Sequence, residues 1–284
     1  MYHCPILGSH LAPSVRMVPD RPARCGGQTM KLNGKIALVT GSDSGIGRAI
    51  ATTFAREGAD VAVHYHSDER GAEQTANAAR QHGIRAEVFQ ADFADPAAAE
   101  SLFDRVIAAY GRIDILVNNA GKGASAPSSL DLPLSAFQDV LNVDLVCPWL
   151  LTQRAARGMV ERGGGSIVNV TSVHELIPSP GNVAYDVAKG GLRMVARTLT
   201  AELAGKGVRI NNVAPGMIAT PMTTETLFDN EQAEQAMRSI PMGRPGEPQE
   251  IANVVLFLAS DDASYVSGST FFADGGLLQN IGGA

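Results

Sequence analysis

Two side chains four residues apart, Tyr185 and Lys189, could transfer a proton from one face of a helix. They lie in the segment 179–191, where the sequence indicates a loop that runs into a helix, so the phenol and the amine would be one turn apart. A phenol has a reference pKa of about 10 and is a weak base at neutral pH. An adjacent ammonium stabilises the phenolate. The pair therefore predicts a tuned proton donor and acceptor, with Ser172 as a further hydroxyl. Because so short a motif also arises by chance, the rest of the chain must decide.

The elements that would position these residues alternate regularly from Lys35 onward. Short β-branched runs occupy residues 36–40, 60–65, 86–90, 113–118, 166–171, 208–212 and 270–273. Stretches with helical periodicity occupy residues 46–57, 68–82, 96–110, 134–162, 183–204 and 248–260. Strands that alternate with helices predict βαβ units on one parallel sheet. Right-handed crossovers then give an α/β, doubly wound parallel sheet that binds ligands at the carboxyl ends of its strands.

The domain organisation follows from where this alternation holds. We predict one domain over residues 30–284, because no internal repeat or low-complexity tract interrupts it. Residues 1–29 contain four prolines, three arginines and no periodic apolar face, so we expect a disordered or loosely attached extension. Residues 217–244 form a long insertion rich in Thr, Met and Glu, which predicts a helical substrate lid over the site.

The turn between the first strand and the first helix is rich in glycine. Its spacing is G-x-x-x-G-x-G rather than G-x-G-x-x-G. Glycines let the backbone approach a pyrophosphate, whose charge is favoured at a helix N-terminus. An ordinary glycine turn is the alternative to a nucleotide-binding one. The candidate cofactor residues of this turn are Gly41, Ser42, Ser44, Gly45, Ile46 and Gly47.

The ends of the second and third strands bear on which dinucleotide would bind. The second strand ends at Tyr65 and His66, with no acidic residue before Asp68. An acid there would accept hydrogen bonds from a ribose 2′-hydroxyl and repel a 2′-phosphate. Its absence favours NADP, with use of NAD left open. Asp92, followed by Phe93, is a candidate partner for the adenine amine, or else a solvated turn residue.

Composition excludes several classes of partner. The chain has a net charge of −6, with 29 acidic and 23 basic residues and no Lys/Arg cluster, which argues against nucleic acid and anionic membranes. The apolar run 254–259 is far too short to span a bilayer. Three cysteines lack the spacing of a zinc or redox motif, so we expect no metal site and a reducing, cytoplasmic location. The expected partner is a small-molecule substrate.

The sequence Asn118-Asn119-Ala120-Gly121 ends the fourth strand. Together with the glycine turn, Ser172, Tyr185-x-x-x-Lys189 and Pro215-Gly216, it resembles the short-chain dehydrogenase/reductase superfamily over residues 32–276. The resemblance implies a Rossmann-type sheet, a homotetramer and NAD(H)- or NADP(H)-dependent chemistry on alcohols and carbonyls. It also implies that the cofactor contacts Asn119, Ala120, Gly121, Pro215, Gly216, Ile218 and Thr220.

The resemblance and the chemistry together suggest a role for each catalytic residue. Ser172 would hold the substrate oxygen and stabilise its developing charge. Tyr185 would exchange the proton, as a base in oxidation and as an acid in reduction. Lys189 would favour the phenolate of Tyr185 and, by analogy with the family, bind the nicotinamide ribose.

A finer similarity concerns the segment Thr-Ser-Val-His-Glu-Leu-Ile-Pro at 171–178, which resembles bacterial glucose 1-dehydrogenases. Polar groups beside the catalytic Ser172 suit a hydroxyl-rich substrate. We therefore predict that His174 and Glu175 contact substrate. The alternative is that both residues belong to a structural loop of the subfamily.

One position departs from the family pattern. Asp144 stands where the family usually has a fourth catalytic residue, Asn. Asn142 lies two residues earlier and on a helix should point elsewhere. An Asp can still hold a relay water, but its charge could pair with Lys189 and weaken the effect of Lys189 on Tyr185.

Three functions remain open at this point. The leading one is an NAD(P)-dependent oxidoreductase of a secondary alcohol or carbonyl, similar to glucose 1-dehydrogenase. A reductase of 3-oxoacyl thioesters would share the fold but would want a basic patch for an acidic carrier protein, and lysines are sparse. A nucleotide-binding scaffold that has lost catalysis is favoured only by Asp144.

Overall fold

The computed structural model describes residues 30–223 and 237–280. The N-terminal extension 1–29, the middle of the expected lid at 224–236 and residues 281–284 lie outside the described residues.

A seven-stranded sheet with every pairing parallel organises the described chain, in the order β3-β2-β1-β4-β5-β6-β7. Its strands are β1 Ile36–Val39, β2 Asp60–Tyr65, β3 Ala86–Gln90, β4 Ile115–Asn118, β5 Gly165–Val170, β6 Val208–Pro215 and β7 Thr270–Ala273. The order reverses between β1 and β4, where the chain crosses from one half of the sheet to the other. The predicted doubly wound α/β sheet is confirmed.

Helices cover both faces of the sheet. They are α1 Gly45–Arg56, α2 Glu69–Arg80, α3 Pro96–Tyr110, α4 Leu134–Leu141, α5 Cys147–Glu161, α6 Val183–Leu203 and α7 Pro248–Ala259. Apolar side chains of α1, α2 and α7 form one core cluster with the sheet, and those of α3, α5 and α6 form a second on the other face. Two apolar layers explain why the central strands are hydrophobic on both sides. Among the described helices, none has the length and apolar character needed to cross a membrane.

The predicted single helix 134–162 contains an irregular turn. A π turn, Asn142–Val146, separates α4 from α5, and the Cys147 N–H bonds to the carbonyl of Asn142. Pro148 follows directly and has no N–H to donate to the carbonyl of Asp144, so a regular α-helical bond is missing at this point. Such single π turns often lie at functional sites.

A row of polar side chains crosses the buried part of four neighbouring strands, and we call it the amide ladder. The Nδ2 of Asn118 donates to Oδ1 of Asn169 at 2.9 Å, and the Nδ2 of Asn169 donates to Oδ1 of Asn212 at 3.0 Å. The Nδ2 of Asn212 in turn donates to the hydroxyl of Thr270 at 3.2 Å. These residues are register partners on β4, β5, β6 and β7. Each amide nitrogen of the ladder therefore has a partner within the sheet.

Candidate active site

A cavity of about 660 Å³ opens at the carboxyl ends of the strands. It gathers most of the residues that the sequence singled out. On its wall lie Gly41, Ser44, Gly45, Ile46, Gly47, His66, Asp92, Phe93, Asn119, Ala120, Gly121, Ser172, His174, Tyr185, Lys189, Pro215, Gly216, Ile218 and Thr220. Four further candidates, Ser42, Tyr65, Asp144 and Glu175, do not line it.

The glycine turn is built so tightly that only glycine fits at two positions. Gly41 has φ +60, and a Cβ there would lie 2.9 Å from the Cα of Ala120. A Cβ on Gly47 would lie 2.0 Å from the carbonyl oxygen of Gly41. The first turn of α1 carries no acidic residue. A close backbone approach at a helix N-terminus fits the pyrophosphate of a dinucleotide. The one carboxylate of the glycine turn, Asp43, precedes the helix and also lines the cavity.

Ser42 and Tyr65 have structural positions instead. The Ser42 hydroxyl is buried, donates to the carbonyl of Val39 at 2.8 Å and accepts from the N–H of His64 at 3.1 Å. Tyr65 is half-buried and packs against the apolar cluster under α1 and α2. Sequence spacing placed both residues near the cofactor, but the turn and the strand direct their side chains away from the cavity.

His66 and Asp92 meet at the far end of the cavity from Tyr185. The Nε2 of His66 lies 3.5 Å from Oδ2 of Asp92, and both side chains are more than half exposed. An imidazole and a carboxylate therefore share the region that would receive the adenosine ribose. Their effects on a 2′-phosphate oppose each other.

Lys189 lies on α6 and is buried. Its Nζ is 3.0 Å from Oδ2 of Asp144 and donates to the carbonyl of Val170 at 3.2 Å. The same nitrogen is 5.2 Å from the centre of the Tyr185 ring, so the expected ammonium–phenol neighbourhood exists. Burial lowers the pKa of Lys189, whereas the charge of Asp144 raises it and Tyr185 adds to the rise. The net effect is a raised pKa. The amine is therefore an ammonium at neutral pH.

Asp144 lies behind Lys189, in the π turn. Burial raises the pKa of its carboxyl against the opposing effect of Lys189. Oδ1 accepts the backbone N–H of Lys122 at 2.8 Å. A Cβ on Gly121 would lie 3.0 Å from Oδ2 of Asp144 and 3.4 Å from Nζ of Lys189, so glycine leaves room for the pair. Asn142 points elsewhere, as expected, and donates to the carbonyl of Ala94 at 2.8 Å.

Ser172 and His174 face the cavity from the 3₁₀ turn Val173–Glu175, which follows β5. The Ser172 Oγ accepts the N–H of His174 at 3.2 Å, which leaves its own proton available to a substrate oxygen. The Nδ1 of His174 lies 3.2 Å from the carbonyl of Ile177. Since a carbonyl only accepts, Nδ1 carries the proton of this bond, and Nε2 faces the remaining space of the site with no partner shown within the described residues.

Glu175 does not reach the cavity. Its side chain is fully enclosed, and Oε1 lies 3.3 Å from Nε of Arg193 on α6. Burial raises the pKa of this carboxyl, and Arg193 opposes the rise. The 3₁₀ turn points successive side chains in different directions, so His174 faces the site and Glu175 faces α6. This position fits the alternative interpretation, in which Glu175 belongs to a structural loop and does not contact substrate.

Two polar residues of the substrate side were not predicted. Ser179 and Asn182 line the cavity, and the Nδ2 of Asn182 donates to the Ser179 hydroxyl at 2.9 Å. The N–H of Ala126 bonds to the carbonyl of Gly181 at 3.1 Å and ties this loop to the segment after β4. In the sequence, the position of Ser179 and Asn182 just before α6, the helix that carries Tyr185, could have indicated that they lie at the site. Across residues 30–223 and 237–280, no group of three or more side chains could hold a metal ion.

Comparison with known proteins agrees with this geometry. The family model described as enoyl-(acyl carrier protein) reductase matches residues 41–278. The chain is also 38% identical to glucose 1-dehydrogenase 2 of Bacillus subtilis over 247 residues, which are 87% of this chain and 95% of that protein. The chain belongs to the short-chain dehydrogenase/reductase superfamily. It is therefore an NAD(P)-dependent oxidoreductase that acts on CH–OH groups.

Other short-chain dehydrogenases/reductases match over similar lengths. The 3-oxoacyl-[acyl-carrier-protein] reductase of Thermotoga maritima is 39% identical over 249 residues, 88% of this chain and all of that one. The crystal structure of a gluconate 5-dehydrogenase from Burkholderia cenocepacia, in complex with NADP and tartrate, has a TM-score of 0.82 at 32% identity. That likeness covers 88% of this chain and 98% of the other.

Proposed function

We propose that this enzyme uses NADP to interconvert a secondary alcohol and a carbonyl in a sugar-like, hydroxyl-rich substrate, in the manner of a glucose 1-dehydrogenase. The observation that carries the proposal is the polar wall beside Tyr185. Ser172, His174, Ser179 and Asn182 offer several donors and acceptors on one side of the cavity, which suits a substrate with neighbouring hydroxyl groups.

The nicotinamide, when bound, would supply or accept the hydride. In oxidation, Tyr185 takes the proton of the substrate hydroxyl, and in reduction it returns that proton. Lys189 favours the phenolate through its positive charge, and its bond to Val170 holds the amine in place. The hydroxyl of Ser172 donates to the substrate oxygen as negative charge develops there. Gly121 and the π turn leave room behind Lys189 for Asp144.

For NADP, the support comes from His66 on the cavity wall and from the lack of an acid at the end of β2. The solved relative with bound NADP agrees with this choice. We also propose that the enzyme is a homotetramer, as the family resemblance implies, and sedimentation of the purified protein tests that assignment.

A second candidate is the reduction of a 3-oxoacyl thioester. Three apolar residues, Met217, Met222 and Leu277, also line the cavity, and they could pack against an acyl chain. The Thermotoga maritima relative acts in this class by its name. The polar wall favours the first candidate, because an acyl chain leaves those groups without partners.

The deciding experiment is a screen that follows the absorbance of the reduced nicotinamide. Aldoses, polyols and sugar acids are offered with NADP or NAD, and acetoacetyl thioesters are offered with NADPH or NADH. We expect turnover of a polyhydroxylated substrate and a loss of about 10²–10⁴-fold in Tyr185→Phe. Residual activity of Tyr185→Phe within about tenfold of wild type would contradict the role of the phenol. Preference for the thioester would select the second candidate.

A further inference from the structure

His64 is a buried residue of β2 whose side chain connects two walls of the cavity. Its Nδ1 accepts the backbone N–H of Gly41 at 3.0 Å, and its Nε2 lies 3.1 Å from the carbonyl oxygen of Ala91. The ring also stacks on Phe93, with centres 4.4 Å apart and planes 11° apart. Gly41, Ala91 and Phe93 all line the cavity. One imidazole thus holds the glycine turn against the end of β3.

Only one protonation state of the ring satisfies both bonds. The amide of Gly41 can only donate and the carbonyl of Ala91 can only accept, so His64 must be neutral with its proton on Nε2. Burial lowers its pKa to about 4, although the bond to Ala91 opposes the shift. At neutral pH the ring therefore has the tautomer that the two bonds require.

The bond to Gly41 matters because that residue sets the shape of the turn. With φ +60 and no room for a Cβ beside Ala120, Gly41 has a conformation that other residues rarely adopt. The next residue is tied to the same place, since the N–H of Ser42 donates to the carbonyl of His64 at 2.8 Å. The direction of the turn toward the cavity is thus anchored on β2 through His64.

We propose that His64 is a positioning residue for the cofactor, which fixes the gap between the glycine turn and the wall formed by Ala91 and Phe93. This inference rests on the proposed use of a nicotinamide dinucleotide. The gap lies where the diphosphate and adenosine would bind. His64 does not act on the substrate, so its loss weakens cofactor binding and leaves the chemical step unchanged.

Three substitutions distinguish the effects of the two hydrogen bonds that the His64 ring makes to Gly41 and Ala91. In His64→Asn, the amide oxygen stands close to the position of Nδ1 and can accept from Gly41. In His64→Gln, the amide nitrogen reaches the position of Nε2 and can donate to Ala91, but the acceptor for Gly41 is displaced. His64→Leu keeps an apolar side chain and removes both bonds. Ser166→Ala is the matched control, because it removes a buried bond of 3.1 Å to Leu258 at the amino end of β5, away from the cavity.

The measurements are the NADPH dissociation constant by titration of its fluorescence, the melting temperature, and kcat and KM for NADP with the substrate found by the screen. We expect His64→Asn to bind NADPH within about threefold of wild type and His64→Gln and His64→Leu to bind about tenfold more weakly, the loss of roughly one hydrogen bond. For all three, kcat at saturating NADP should stay within about twofold of wild type. Ser166→Ala should lower the melting temperature without changing NADPH affinity.

Equal weakening by Asn, Gln and Leu, or unchanged affinity in all three, would overturn the role of His64 alone. If His64→Leu fails to fold, the contrast between Asn and Gln still decides. Failure of the wild-type protein to bind either NADPH or NADH would overturn both this inference and the proposed function.

Discussion

At the scale of single residues, the amine of Lys189 is paired with a carboxylate, that of Asp144, rather than with a neutral amide. The 3.0 Å pair with Asp144 is enclosed on all sides, so solvent screens it little. The negative charge keeps the ammonium protonated, but it also offsets the positive field that favours a phenolate at Tyr185. The two effects have opposite consequences for catalysis, and substitution can separate them.

We predict that Asp144→Asn keeps or raises activity. Removal of the charge strengthens the field of Lys189 at Tyr185, so the phenolate forms more readily. The limb of the oxidation profile that rises with pH should therefore move to lower pH. Rate profiles of both proteins from pH 6 to 10 measure this shift. An unmoved limb would make Asp144 structural, and an inactive variant would mean that Lys189 depends on Asp144 to stay protonated.

A second pair, His66 and Asp92, determines the choice between NADP and NAD in our proposal. The Asp92 charge lies 3.5 Å from His66 and would repel a 2′-phosphate. We predict that Asp92→Asn raises the ratio of kcat/KM for NADP over NAD by about two- to fivefold, as expected for an exposed charge. The amide keeps an oxygen that can accept the N–H of Ala94, which Asp92 accepts at 2.9 Å.

His66→Ala is the opposing control for Asp92→Asn. Loss of the imidazole should lower the NADP/NAD ratio, because residues 63–68 at the end of β2 contain no Lys or Arg. If both substitutions leave the ratio unchanged, the ribose does not bind beside this pair.

At the scale of the elements, the amide ladder contributes to the stability of the sheet. We predict that Asn169→Ala lowers the free energy of unfolding by about 1–3 kcal/mol, because it leaves the buried Oδ1 of Asn212 without its donor. The Nδ2 of Asn118 keeps its bond to the Thr152 hydroxyl at 3.0 Å. Urea denaturation followed by circular dichroism measures the loss. Asn77→Ala, which removes an exposed 2.7 Å bond to Arg80 on α2, should cost less than about 0.5 kcal/mol. Equal effects of the two substitutions would contradict the prediction.

The elements themselves could be predicted from the sequence because their signals are local. Apolar, β-branched runs at regular intervals indicate a parallel sheet wherever they occur. The π turn within 134–162 was missed, since helical periodicity continues through it and only Pro148 hints at an irregularity. The amide ladder was also missed, because the sequence does not show whether an Asn is exposed or buried beside an amide partner on another strand.

Side-chain direction separates the predicted site residues that line the cavity from those that do not. Tyr185 and Lys189 could be paired from sequence because one helix carries both. Glu175 and Ser42 could not be placed, since their partners Arg193 and His64 come from distant segments of the chain. His64 was overlooked for the same reason. Its importance depends on Gly41 and Ala91, which approach it only in the folded sheet.

For the molecule as a whole, buried His64 makes stability depend on pH. Its pKa is lowered from 6.5 to about 4. Between these pH values His64 is protonated in the unfolded chain and neutral in the folded protein. The contribution of His64 to the free energy of unfolding should therefore be fully present above pH 6.5. It should fall by at most about 1.4 kcal/mol per pH unit as the pH drops toward 4. His66 and Arg105 add repulsion of the same sign.

A comparison of wild type with His64→Asn isolates that contribution. Asp144, Glu175 and the Arg244-paired Glu250, with its pKa lowered to about 2, titrate in both proteins and cancel. We predict that urea denaturation between pH 7 and pH 4.5 gives a shallower decline for the variant. Parallel curves would show that His64 gains its proton as easily in the folded protein as in the unfolded chain.

The amide ladder also has a consequence for how the chain assembles. Its members come from four strands joined by long crossovers, so their pairing forms late and between distant segments. If β5 docked one residue out of register, Val168 or Val170 would lie opposite Asn118 and Asn212, and their amides would lose the partner that Asn169 provides. Misregistered intermediates are therefore disfavoured during folding. Because Asn119, Ser172 and Pro215 follow ladder residues closely on their strands, the same selection of register aligns the cavity edge before any ligand arrives.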